Sequence, residues 1–277
     1  MKILGMDFTS VPSRTKPITL AECEYDGQML NISALSRLDS FKAFEDTLIS
    51  AGPWVAGIDF PFGQSRRFVE NVRWPLDWAQ YVELVAKLSR KEFREVLENY
   101  KRDRPAGDRE HCRDIDALCG GQSPQKLYGV PVALMFFEGA SRLLRCGASI
   151  VPVRPNGDSR VVIEAYPAVV ARFLVGRAKY KPDPRKKQLQ SAARNSRIEM
   201  VRGVADSAFE RQYGFKVLVK SDVAEHCIND ITGDSIDAVL AAIQAGWAQR
   251  QRTEGFGVPQ DVDQSEGWIP DPMTREN

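Results

Sequence analysis

At 277 residues the chain is long enough to bury a full core, as one large domain or as a domain carrying an inserted subdomain. A hydrophobic share of 43% and a charged share of 27% are ordinary for a soluble globular protein, which excludes a fibrous or wholly disordered chain. A net charge of +1 excludes a global electrostatic pull toward nucleic acid or membrane, so a polyanion site would have to be a local basic patch.

The first stretch, Lys2 to Ser10, is an apolar run that climbs to Asp7 and breaks into small and hydroxyl residues. It reads as a buried strand opening an α/β domain, with Asp7 at the strand end where ligands bind. It is too short to cross a membrane, and Asp7 interrupts it where a secretory signal needs unbroken apolar residues. The five cysteines, Cys23, Cys112, Cys119, Cys146 and Cys227, include no CxxC pair. Reduced thiols in a cytoplasm are the economical expectation. His111-Cys112, Cys119 and His226-Cys227 are soft-metal ligand types, but they lack the tight paired spacing of a zinc ribbon.

Residues 17–24 and 30–35 read as strands joined by a hairpin turn at Asp26-Gly27. A helix follows from an Asp39-Ser40 cap, with Phe41, Phe44, Leu48 and Ile49 on one face and Gly52-Pro53 as its stop. Residues 54–59 form a second apolar strand ending in Asp59. Residues 74–104 read as long helices, their aromatics placed for core packing, and 102–126 as a charged connection long enough to be either functional or disordered. A helix from Val130-Pro131 to Cys146-Gly147 and a strand at 149–153 come next. A third apolar strand, 160–164, closes on Glu164, and Tyr166-Pro167 starts a helix. Lys179 to Lys187 is a basic loop followed by a helix to about Ala205, and 222–229 a short helix. The last strong element is the helix from Asp234 to Ala245, after which a tail from Thr253, rich in Gly, Pro and acid, wraps the surface or is partly disordered.

Three apolar strands thus end in acids, Asp7, Asp59 and Glu164, and parallel strands would bring such ends to one sheet edge. Asp234 and Asp237 stand three apart at a helix start, on one face. Asp234 alone reads equally as an N-cap, whereas Asp237 is harder to explain by capping. Four or five carboxylates near one point repel and shift each other's pKa values unless a divalent cation lies among them. Hard oxygen ligands suit Mg²⁺ or Mn²⁺, and two such ions roughly 4 Å apart serve phosphodiester cleavage.

The order of acid-bearing strand, hairpin, helix, acid-bearing strand and late Asp-x-x-Asp-Ala helix resembles the ribonuclease H-like superfamily. Asp234 to Ala242 is similar to the C-terminal helix of Holliday-junction resolvases of that fold. Gly57 to Gly63, Arg113-Asp114, Val162 to Ala168, Tyr180-Lys181 and Asp234 to Ala238 resemble a family of predicted nucleases, the domain of unknown function 429. The resemblance implies a mixed five-stranded RNase H-like sheet flanked by helices, one domain over 1–252 with a helical insertion at about 65–148, and a tail at 253–277. It implies metal-dependent nuclease chemistry on nucleic acid. Asp7 would bridge the metals, Asp59 hold one, and Asp234 or Asp237 complete the set. Glu164 would be a ligand, a water-orienting base or a hydrogen-bond anchor. Arg113, Lys126, Arg154, Lys179 and Lys181 are candidate phosphate ligands, each equally readable as a solvated surface cation. Two rival readings are an actin- or sugar-kinase-like phosphotransferase, against which no Gly-rich phosphate loop is found, and a non-catalytic binding module.

Overall fold

In a buried strand successive side chains point to opposite faces, and apolar residues on both faces require cover on both sides. The first strand, β1 (Lys2–Asp7), meets this condition, with Ile3, Leu4 and Met6 all buried. A computed structural model describes residues 1–181 and 189–275. The basic residues of 182–187 that were read as a loop lie outside the described residues.

The hairpin β2 (Ile18–Tyr25) and β3 (Met29–Leu38) follows β1. Asp26 fixes its turn by accepting from the amides of Gln28 and Met29, and Gly27 takes a φ of +104°. Helix α1 (Phe41–Leu48) is capped by the Ser40 hydroxyl and leads to β4 (Trp54–Ile58). Then come α2 (Arg66–Asn71), α3 (Trp78–Ala86), α4 (Arg90–Arg102), α5 (Asp114–Cys119) and α6 (Val132–Cys146). Strands β5 (Ser149–Val151) and β6 (Arg160–Glu164) precede α7 (Pro167–Val175), α8 (Leu189–Gly203) and α9 (Ser207–Tyr213). Strand β7 (Lys216–Val219), α10 (Ser221–Asn229) and α11 (Asp234–Arg250) complete the regular elements before three short 3₁₀ turns.

Among the described residues the sheet has seven strands, not five, in the order β5-β6-β4-β1-β2-β3-β7. Strand β2 runs antiparallel to both neighbours and every other pairing is parallel. The two additions are edge strands. The segment 149–151 pairs with β6, and Lys216–Val219 pairs with β3. The latter carries only four residues with a lysine at its start, too little to announce a strand.

Helices cover both faces. Leu4, Met6, Trp54, Ala56 and Ile58 pack under α1, α3, α4 and α6. Ile3, Val55, Val161 and Ile163 pack under α7, α8 and α11. The segment read as a helical insertion therefore supplies, with α1, the apolar cover of one face. The tail does not stay on the surface either: Trp268, Ile269, Asp271 and Thr274 are buried. Asp271 accepts from the Gln244 amide at 2.8 Å and from the Tyr213 hydroxyl at 3.2 Å, so a polar contact ties the tail to the middle of α11. No helix among the described residues is long and apolar enough to cross a membrane.

Helix α11 is buried from Ser235 to Gln249. The reading of one sheet-facing apolar side understated this, because the 3₁₀ turn Arg252–Gly257, α7 and α10 enclose its remaining sides. Two paired glycines let it lie directly on the sheet. Gly5 and Gly57 are register partners on β1 and β4. A Cβ on Gly5 would collide with the Ala238 carbonyl and the Ala242 backbone, and one on Gly57 with the Ala241 carbonyl. Backbone cannot yield as a flexible side chain can, so Gly5→Ala is expected to cost about 3 kcal/mol, the upper part of the overpacking range. Urea unfolding monitored by circular dichroism checks this; an unchanged midpoint would show that the helix does not rest on the strand.

Candidate carboxylate site at the sheet edge

Two residues beyond Gly5 and Gly57, at the same strand ends and with the same side-chain parity, stand Asp7 and Asp59. Asp237 lies in the first turn of α11, next to the Ala238 carbonyl that faces Gly5. The close seating of the helix thus fixes the approach of all three carboxylates. One oxygen from each lies within 4.8 Å of the others. Asp7 and Asp59 are half-buried and Asp237 is buried. No donor among the described residues hydrogen-bonds the side chain of Asp7 or Asp59. Asp237 is held by the Tyr180 hydroxyl, which donates to it at 2.8 Å, and by the Lys181 ammonium at 2.5 Å.

Burial and mutual repulsion set the electrostatics. Desolvation, then Asp237, pushes the Asp59 carboxyl up to about 8 against the pull of Lys181. Burial likewise drives Asp7 well above the carboxylate range, with Lys181 opposing and the neighbouring acids adding. Asp237 is raised by burial despite Lys181 and Tyr180. Burial alone would favour neutral Lys181, but Asp237, Asp7 and Asp234 outweigh it and hold the ammonium protonated. The positive end of the α11 dipole also faces this group. One lysine and a helix end do not neutralise four acids.

Asp234 lies outside the triad. Its carboxylate meets Lys181 at 3.3 Å. It is not the helix cap, because Asp230 accepts from the Ser235 amide at 2.9 Å and so satisfies the helix start. That frees Asp234 to face the cleft.

Glu164 departs from the expectation of convergence. Strand register places it beside Ile58, not Asp59, so its side chain points to the opposite sheet face. There Arg113 takes both its oxygens, at 2.8 and 2.5 Å, while the Phe62 amide donates at 2.9 Å. Glu164 is a hydrogen-bond anchor. Arg113 is not a phosphate ligand: it is 2% exposed, and its five N–H groups are spent on Glu164, Asp116 and the Glu266 carbonyl. The tail closes this node, since Gly267 passes where a Cβ would stand 2.8 Å from Glu164 Oε2.

The other predicted cations fall apart in space. Arg154, past β5 at the far sheet edge, donates to the Leu144 carbonyl at 3.1 Å and reaches neither cavity at the triad. Lys179 is exposed. Lys126 and Lys181 do border the site, on two cavities that share Asp59, Val130 and Met135. One, of about 480 Å³, is lined by Asp7, Thr9, Ser10, Lys16, Arg90 and Lys181 among others. The other, of about 240 Å³, lies toward Lys126 and Tyr166. Lys16 and Arg90 escaped the sequence reading because each sits in an ordinary charged context, before β2 and at the head of α4. The histidines and cysteines do not gather. All five thiols are free, and among the described residues only Asp7, Asp59 and Asp237 group as possible metal ligands.

The fold and site define a mixed α/β protein with an acidic triad where two parallel strands meet a helix N-terminus. No protein-family model matches the chain, and comparisons with curated proteins and with solved structures return no match.

Two outcomes follow from this electrostatic contrast. The raised pKa of Asp59 means that the fold binds a proton the unfolded chain releases near pH 4. That stabilisation is present at low pH and fades as pH rises from about 4 to about 8. In chelator, Tm should therefore fall between pH 5 and pH 8.5, and the neutral Asp59→Asn variant should flatten the fall; an identical profile would show that Asp59 ionises freely. Removing the cation of the neighbouring node is a different matter. Arg113→Ala leaves Glu164 and Asp116 buried and unpaired, and a loss of about 3–5 kcal/mol in urea unfolding is expected.

Proposed function

We propose that this protein is a metal-dependent phosphodiesterase that cleaves nucleic acid, built on an RNase H-like core. The observation that carries the reading is the triad of Asp7, Asp59 and Asp237, close together and, among the described residues, unpaired at two of its three members. Five contiguous strands, β3-β2-β1-β4-β6, with only the middle strand of the hairpin reversed, support the core assignment. They are the hairpin and the three acid-ended strands on which the resemblance rests.

The donor set fits Mg²⁺ or Mn²⁺. It consists of carboxylate oxygens, with no soft ligand near, and its excess negative charge is what a divalent cation relieves. Asp7, Asp59 and Asp237 would hold the ion, and Asp234 stands one turn-width back as a further acid. Bound there, the ion would polarise a phosphodiester and lower the pKa of water.

The chain's own groups do the rest. Tyr180 fixes the Asp237 rotamer through its hydroxyl. Lys181, Lys16 and Arg90 line the wall beside Asp7. Arg90 is paired with Glu138 and Lys181 with Asp237, so Lys16 is the cation free among the described residues to attract phosphate. The hydroxyls of Thr9 and Ser10 offer neutral donors on the same wall. A bound ion beside Lys16 would hold a polyanion although the whole chain is nearly neutral.

The test is cleavage of single- and double-stranded DNA and RNA with Mn²⁺ and with chelator. Mn²⁺-dependent cleavage is expected. Asp7→Asn, an isosteric change at a half-buried strand end, should return it to the chelator level, weaken Mn²⁺ binding by calorimetry and leave the circular dichroism spectrum intact. Full activity in that variant would remove Asp7 from the chemistry.

A further inference from the structure

We infer that the cavity of about 240 Å³ beside Asp59 is a subsite for one unpaired nucleobase, so that the substrate is a single strand or a splayed end and not a closed duplex. The inference rests on the phosphodiesterase reading and names the substrate class of that site.

The cavity begins where the triad ends. Asp59, Val130 and Met135 line both it and the phosphate-side cavity, so the two spaces adjoin at Asp59. Beyond Asp59 its chemistry changes. Phe60, Met135, Tyr166 and Ile269 give apolar and aromatic walls, Gln122 and Lys126 give polar groups at one side, and Arg113, Asp116 and Glu164, paired with one another, line it as well. A nucleoside phosphate has this division: an anionic group for the metal end and a flat apolar ring with a polar rim for the pocket. The size agrees. A volume of about 240 Å³ falls below the range of drug-sized sites and holds roughly eight waters, enough for one ring system and too little for a base pair.

The mouth carries a second sign. Val130 at 62% exposure and Tyr128 at 66% stand out on the segment leading into α6, and the Lys126 ammonium lies 5.2 Å from the Tyr128 ring centroid. Tyr128 does not line the cavity, but Lys126, which does, joins the two, and an exposed aromatic ring beside a cation is the arrangement that stacks bases of a single strand without reading their sequence. On its far side Tyr128 borders a groove of mixed charge, where Lys101 is paired with Glu110 and Arg102 and Arg109 stand beside Glu98. A paired base cannot enter the cavity without leaving its stack, and an unpaired one enters at little cost.

The test compares ligands on the Mn²⁺-loaded full chain by calorimetry: inorganic phosphate, deoxyribose 5-phosphate, thymidine and adenosine 5′-monophosphates, a tetranucleotide, and a blunt duplex of matched sequence. Base-bearing monophosphates should bind at least tenfold tighter than deoxyribose 5-phosphate, and the tetranucleotide should compete where the duplex does not. Tight tetranucleotide binding over weak mononucleotide binding would still support a strand subsite and assign the substrate to polymer and not free nucleotide. Val132→Trp, at the half-buried start of α6 on the cavity wall, should erase the base-dependent increment. Where that variant does not fold, Val130→Trp on the exposed rim reads the same increment. Equal affinities for the baseless and base-bearing phosphates, or an increment that survives both variants, overturn the subsite while metal and phosphate binding leave the phosphodiesterase reading standing. Failure to bind Mn²⁺ at all brings down both.

Discussion

The contact on which this molecule depends is the absence of side chains between α11 and the sheet. Gly5 and Gly57 are opposite one another on adjacent parallel strands, and the helix backbone occupies the space their side chains would take. Every larger residue would lift the helix by the thickness of a methyl group or more. That lift would move Asp237 away from Asp7 and Asp59, so the same pair of glycines sets both the packing of the core and the spacing of the carboxylates. A helix buried on all sides would ordinarily carry no polar groups along its length. Here Gln244 bridges the Tyr166 amide and Asp271, and so converts a buried amide into the joint between α7, the tail and the sheet.

Two buried carboxylate systems lie within a few residues of each other and are managed in opposite ways. Around Glu164 the protein supplies a full complement: Arg113 donates from all five N–H groups, backbone amides and carbonyls fill the remaining sites, and the tail seals the node. Such a pair is costly to break and adds little over an apolar equivalent, so its value lies in holding the α5 segment and the tail to the strand edge. Around Asp7 and Asp59 the described residues supply almost nothing. Burial and mutual repulsion push both carboxyls up, and Lys181, the one lysine present among them, is shared among Asp237, Asp234 and Asp7. A fold able to assemble the first arrangement had the means to neutralise the second. The contrast is between an internal anchor and a site whose remaining charge is to be met from outside.

Much of the framework was legible along the chain because it rests on local signals. The apolar runs ending at Asp7, Asp59 and Glu164, the Asp26-Gly27 turn and the Ser40 cap all act within a few residues. Register is a non-local quantity, and there the reading stopped. Nothing in residues 160–164 tells which residue of β4 will lie opposite, yet a shift of one position decides whether Glu164 joins Asp59 or turns away from it. Arg113 was singled out for phosphate and its structural role missed for the same reason: a guanidinium is a surface cation until a fold places two carboxylates around it. The tail misled by composition. Its glycines and prolines suggested disorder, whereas Gly267 at φ +84° is what allows the backbone to pass over the Glu164–Arg113 pair.

The stretch 65–148 first reads as an addition to a smaller core, but its position argues for a more specific part. Its helices α3, α4 and α6 cover the sheet face opposite α11, and the segment entering α6 reaches the sheet edge with Val130 and Met135, the residues common to both cavities at the triad. Carboxylates on β1, β4 and α11 belong to the sheet and its central helix, so the triad is placed by the buried core of the molecule. The walls that decide which molecule reaches them come from a different layer, on connections that can change length or sequence without disturbing Gly5, Gly57 or Asp237. A site divided in this way separates what is done from what it is done to, and a comparison of chains that keep the triad should find their differences concentrated between α4 and α6.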